Sequence, residues 1–220
     1  FLTSPIVQLV VGQGEGQTIL TAHKTLLTES PYLVQELERV KDETNLRIEL
    51  PEESVDAFGS FLQYQYTGDY TYQQKDTASG EEDGASDIDQ SGDQLLRHAR
   101  VYTLAEKLGM PSLKTLAHSK IHRINSTARG EIAYARYVYR NTPVDDVIIR
   151  KPVAAFWSSR SHVLRHEAEE DFRSLCLDVP EFSYDVLNLV LDAKEKKAQH
   201  QADGESGIRG SARKRLRTGI

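Results

Sequence analysis

Several stretches of the sequence carry residue types that can do chemistry. Gly12-Gln13-Gly14-Glu15-Gly16 follows an apolar run, as a dinucleotide-binding loop would. Its third glycine falls one position early for G-x-G-x-x-G. A second β-rich run follows it, where a helix N-terminus would be needed to hold a pyrophosphate. The glycines are read as a hairpin turn. His118 and His122 stand four apart in a helical pattern, as do His162 and His166. Residues four apart share a helix face and could hold a metal. Neither pair encloses a glutamate in the H-E-x-x-H manner and no third ligand is apparent, so both are expected to be solvated or partly buried histidines. Cys176 is the single cysteine, in the apolar run Leu175-Cys176-Leu177. A thiol there is expected to act as a small buried hydrophobe, with no charged neighbours to activate it. No serine stands in a G-x-S-x-G elbow. The acid pairs Glu52-Glu53 and Asp145-Asp146 lie at loop-to-helix junctions, where carboxylates favour a helix N-terminus without any catalytic role. The residues thus offer no catalytic, cofactor or metal site, and no small-molecule substrate.

The elements that would position these residues fall into two blocks. The first is mixed. Ile6 to Val11 is β-rich, and Gln17-Thr18-Ile19-Leu20 is a second short strand, so the glycines between them predict a hairpin. His23 to Leu27 and Tyr32 to Leu37 read as short helices separated by Ser30-Pro31. Leu46 to Leu50 alternates with period two, as a half-buried strand does. From Ser54, the residues Val55, Phe58, Leu62 and Tyr66 repeat at helical spacing, with Gly68 placed to stop the helix. The second block is helical. Leu95, Ala99, Tyr102 and Ala105 form one face, and Leu113, Leu116, Ala117, Ile121 and Ile124 the next. Further helices run through Ile132 to Tyr139, Val144 to Trp157, Glu169 to Cys176 and about Phe182 to Ala193. This order predicts an α+β fold, a small three-stranded sheet with packed helices, followed by an all-helical extension. Trp157 and Phe156 are the large apolar pair of that extension.

Length and charge narrow the classes. The 220 residues suffice for one or two domains with a real core. No run approaches the length of a membrane helix, and no secretory signal opens the sequence. A lone cysteine fits a reducing compartment, nucleus or cytoplasm. Residues 1–70 carry net −7, residues 71–93 net −6, residues 94–193 net +2 and residues 194–220 net +5. An acidic body does not attract a phosphate backbone, which argues against nucleic-acid binding by the folded part. Residues 73–93 hold one large apolar residue, Ile88, and read as an acidic, unstructured insertion within a domain. Residues 194–220 read as a disordered basic tail. Within it Arg213, Lys214, Arg215 and Arg217 form a compact cluster that suits a nuclear import signal, a weak anion-binding tail or a solubilising terminus.

The first block resembles the BTB/POZ domain in several separated motifs taken in order. These are the strand Val7 to Val11 with Gly12, then Ala22-His23-Lys24-Thr25-Leu26-Leu27, Ser30-Pro31-Tyr32-Leu33 and Ile48-Glu49-Leu50-Pro51-Glu52. Phe58, Tyr64-Gln65-Tyr66-Thr67-Gly68 and Val101 to Leu108 with Met110 and Leu113 complete the series. Ser4-Pro5-Ile6-Val7 and Tyr139-Arg140-Asn141-Thr142-Pro143 are similar to fungal members. The resemblance implies a BTB/POZ domain over residues 1–125, a helical extension over 126–193 and the tail over 194–220. It implies a protein-interaction module without catalysis, a scaffold or dimerisation domain in a nuclear or cytosolic regulatory complex, or alternatively a substrate adaptor for a cullin-based ubiquitin ligase. The partner is then a second copy or a cullin. On the cullin reading the contact residues lie near Leu37, Val40 and Asp42 and near the end of the long helix. There Tyr64, Tyr70 and Tyr72 are the candidates for a partner surface, with Tyr66 expected in the core. One position departs: many animal members open the first strand with an aspartate that supports their dimer, and the matching residue here is Ile6.

Overall fold

The computed structural model describes residues 2–40, 46–71 and 88–211, with side chains to residue 200. Its elements run in chain order as β1 (Ile6–Val11), β2 (Thr18–His23), α1 (Lys24–Leu27), α2 (Pro31–Arg39), β3 (Arg47–Leu50) and α3 (Val55–Thr67). Then follow β4 (Ile88–Asp89), α4 (Asp93–Leu108), α5 (Pro111–Ile121), β5 (Asn125–Ser126), α6 (Ala128–Asn141), α7 (Val147–Glu167), α8 (Glu169–Asp178) and α9 (Pro180–Ser211). The class is α+β, with a small three-stranded sheet and several helices. Two compact units divide it at Pro143 and Val144.

In the first unit the strand order is β2-β1-β3. β1 pairs antiparallel with β2, Val10 opposite Ile19 and Ile6 opposite His23. It pairs parallel with β3, Val11 opposite Leu50. The hairpin turn contains a short 3-10 segment at Gly14–Gly16, and Gly12 starts it at φ +84°, a region open to glycine. Val7, Leu9, Ile48 and Leu50 point into the core. The period-two pattern of β3 is therefore that of a strand with one buried face. Ser54 caps α3 through the Ala57 N–H, and Gly68 ends it in the left-handed region.

Helix α4 runs through the middle of this unit. Leu95, His98, Ala99, Val101, Tyr102, Leu104, Ala105 and Leu108 are all buried, and α2, α3, α5 and α6 pack around them. Its C-terminus is closed by Gly109 at φ +69° and by the Met110 N–H donating to the Ala105 carbonyl at 2.8 Å. The buried Ser30 hydroxyl donates to the Leu108 carbonyl at 2.7 Å and accepts from the Leu33 N–H, so one side chain finishes α4 and starts α2. Its N-terminus is held by Asp89, whose carboxylate accepts the N–H groups of Gly92 and Leu95, each at 3.0 Å. Composition assigned Ile88 to Asp93 to the unstructured insertion. These residues instead form β4 and the start of α4, because Asp89 meets two of the helix's orphan donors. Residues 72–87 of that insertion lie outside the described residues.

Helix α6 also belongs to the first compact unit, which runs to Pro143. β5 pairs with β4, Tyr137 shares a 2.7 Å hydrogen bond with Thr103 of α4, and two glycines let backbones touch. A Cβ on Gly92 would lie 2.5 Å from the Gly130 Cα, and one on Gly130 would lie 2.1 Å from Ser126 Oγ.

The second unit contains α7, α8 and α9, each packed on the other two. Trp157 is fully buried there. It stacks on Phe172 at 5.2 Å and meets Phe182 edge-on at 5.9 Å. The indole is thus the centre of its own unit's core. Helix α9 continues to Ser211, past the end predicted near Ala193. Arg213, Lys214, Arg215 and Arg217 lie outside the described residues.

Gly130→Ala separates close approach from helix propensity. A helix-interior alanine ordinarily gains up to about 1 kcal/mol over glycine. Here the blocked Cβ is expected to cost about 1–3 kcal/mol, the usual range for overpacking. A urea midpoint that rises in the variant would contradict the close approach.

Candidate protein-interaction surface

Tyrosines at the end of α3 divide opposite to expectation. Tyr70 is the buried one, fully enclosed, with its hydroxyl 2.9 Å from Nδ1 of His98 on α4. Burial raises its phenol above the ordinary range, helped by the Asp69 charge. Tyr70 is therefore core and offers no partner surface: a phenol next to a helix-ending glycine was free to turn inward once α4 supplied an imidazole. Tyr66 is 39 % exposed. Its hydroxyl lies 2.7 Å from His23 Nδ1 and accepts the His23 backbone N–H at 3.2 Å. Tyr64 is half-buried. Tyr72 lies outside the described residues.

The other predicted contact residues are buried or half-buried where they are described. Leu37 is buried on α2. Val40 is half-buried and caps that helix, its N–H donating to the Leu37 carbonyl. Asp42 lies outside the described residues.

An exposed surface with two isoleucines, separated by the exposed Gln8 and Thr21, lies elsewhere, along the β1–β2 hairpin. Ile19 is 56 % exposed and Ile6 51 %. Both are on the hairpin face that carries His23, which holds Tyr66, so Ile6 and Tyr66 mark one end and Ile19 the other. Among the described residues β2 is an edge strand. Its His23 N–H points away from β1, to Tyr66. Antiparallel alternation then directs the Thr21 and Ile19 N–H groups outward as well. An edge with outward amides and a large apolar side chain can accept a further strand. Sequence reasoning missed this surface, since it followed the tyrosines. The signal was Ile19, an apolar residue on a short edge strand that the first-block pattern left without a partner. The second unit has an apolar surface of its own: Tyr184, Leu187 and Leu191 lie exposed on one side of α9, opposite the side that holds Phe182.

The candidate chemical groups are scattered. Cys176 is half-buried, more open than a core thiol. Glu53 pairs with Lys107 at 2.5 Å. His162 and His166 are exposed. Among the described residues no group of three or more His, Cys, Asp or Glu side chains converges on a point, and no helix is long and apolar enough to cross a membrane. No family model matches the chain, and no curated protein matches it.

The Tyr70–His98 pair gives the fold a pH dependence. Burial, with Lys120 and Arg97 adding repulsion, lowers the His98 pKa to about 4. An unfolded histidine titrates near about 6.5. The folded value is the lower one, so between the two the unfolded chain binds the extra proton and stability falls as pH falls. His98 is expected to remove about 3 kcal/mol between pH 7 and pH 4. His98→Gln, which can still bond to Tyr70, should flatten that part of the profile in urea unfolding. An unchanged profile would place a charged imidazole in the folded core.

Proposed function

We propose that the chain is a non-catalytic protein-interaction module of the BTB/POZ type, which self-associates through the β2 edge of its small sheet as a scaffold in a nuclear or cytosolic regulatory complex. The observation that carries this is the combination on β2: outward amides at Ile19 and Thr21 and an exposed Ile19 side chain, on an edge strand of the sheet. The order of elements supports the family. A hairpin leads into two short helices, a third strand joins β1 in parallel, and a long capped helix precedes a buried one. The motifs that resemble the family lie on these elements.

Recognition would follow ordinary interface physics. Main-chain hydrogen bonds set the register, and Ile19 and Ile6 supply apolar area against a matching strip. An isologous contact places Ile19 close to its own copy. Residues 1–70 carry net −7, so two such bodies repel. Their association is expected to strengthen as salt screens that repulsion.

Light-scattering mass in solution tests the reading, alone and with a cullin N-terminal domain. A dimer that tightens with salt and dissociates in Ile19→Asp is expected. The buried aspartate should weaken association by more than about 2 kcal/mol, the scale of an interface hot spot. Ile19 is exposed, so the monomer should keep its melting temperature. A monomer at every concentration that forms a one-to-one complex with the cullin would replace self-association by the adaptor reading.

A further inference from the structure

We propose that His118 and His122 form a two-point site for a divalent transition-metal ion of borderline character, Cu2+ above all, on the solvent-facing side of α5. The two residues are one helical turn apart, His118 half-buried and His122 exposed. Their rings meet edge to face at 4.4 Å, and the two Nε2 atoms stand 3.0 Å apart. Two imidazole nitrogens bound to one ion at about 2.0–2.1 Å lie about 2.9 Å apart at a right angle and about 3.3 Å apart at the tetrahedral angle. A rotation of one ring out of the hydrogen bond turns both lone pairs to one ion, and imidazole suits Cu2+, Ni2+ and Zn2+. The affinity order of divalent ions puts Cu2+ first. Mg2+ and Ca2+ want oxygen ligands and are not served.

As the side chains stand, one Nε2 donates a hydrogen bond to the other. Metal binding needs a lone pair on both. The donor ring supplies it by carrying its proton on Nδ1 instead, with no change in charge. The nearest cations on the helix do not stand unopposed. Lys114 pairs with Glu106 at 2.6 Å and Lys120 with Asp69 at 2.8 Å, and Arg123 also acts on Asp69. Water would complete the coordination of an ion on so exposed a turn. His162 and His166 share the spacing on α7 and are both exposed, which makes them the natural control for spacing without ring contact.

The test is titration of the purified chain with Cu2+, read by electron paramagnetic resonance at low temperature. One tetragonal signal per chain is expected, with hyperfine splitting from two nitrogens. His122→Ala should weaken binding about a hundredfold or more, the loss expected when one of two linked contacts goes, and His118→Ala likewise. His122 is exposed, so its variant should fold even where the His118 variant loses packing, and thermal melts of both check this. His162→Ala with His166→Ala should leave the signal unchanged. Binding that survives in His122→Ala, a signal with no nitrogen splitting, or loss of the signal only in the α7 variant would each overturn the proposal.

Discussion

Helix α4 is enclosed around more than half of its circumference, and every polar group it carries inward must therefore be answered by the protein. Leaving one such group unpaired costs about 1–3 kcal/mol, a large part of any domain's net stability. Its neighbours are placed accordingly. Asp89 takes the free N–H groups at one end, and Ser30 takes the last buried carbonyl at the other. Tyr70 meets His98 midway, and Tyr137 meets Thr103 on the side of α6. Each of these partners comes from a different part of the chain. Closing α4 thus ties the strand-rich beginning, the end of α3, the insertion's last residues and α6 into one unit.

The same demand explains what is left outside. With Tyr70 and Tyr137 turned to α4, the sheet covers its inner face with Val7, Leu9, Ile48 and Leu50. On the hairpin Ile6 and Ile19 stay exposed, and among the described residues β2 pairs with β1 alone. The second unit solves its own core with Trp157, Phe172 and Phe182. The indole N–H of Trp157 has no hydrogen-bond partner among the described residues, so its own contribution to this core is packing and stacking. Among the described residues neither unit gathers three or more His, Cys, Asp or Glu side chains at one point. An interaction surface is what such a distribution can support.

Much of the fold was legible because local signals and global packing agree. The glycines after Val11 did form a hairpin turn, Ser54 and Gly68 did bound α3, and the apolar spacing of Leu95, Ala99, Tyr102 and Ala105 is the buried face of α4. The misreadings share a cause. Composition treated Asp89 as one acid among many, whereas its place three residues before a buried helix end gives it two donors to satisfy. Tyr66 and Tyr70 are indistinguishable by type, and only the position of His98 decides which of them turns inward. The unit boundary depended on Gly92 meeting Gly130, a contact between residues 38 positions apart in number that no local pattern announces. The exposed isoleucines were hidden for the same reason: Val10 and Ile19 face each other across the hairpin, yet only Ile19 is exposed.

Self-association through the β2 edge is tested most directly by backbone amide exchange across Thr18–His23, measured at low and high protein concentration. Strand addition should slow exchange at Ile19 and Thr21 as the dimer forms, because their outward N–H groups gain partners, while Leu20 and Ala22, which face β1, change little. A rise in mass with no change in exchange at Ile19 and Thr21 would contradict the account and place the contact on another surface.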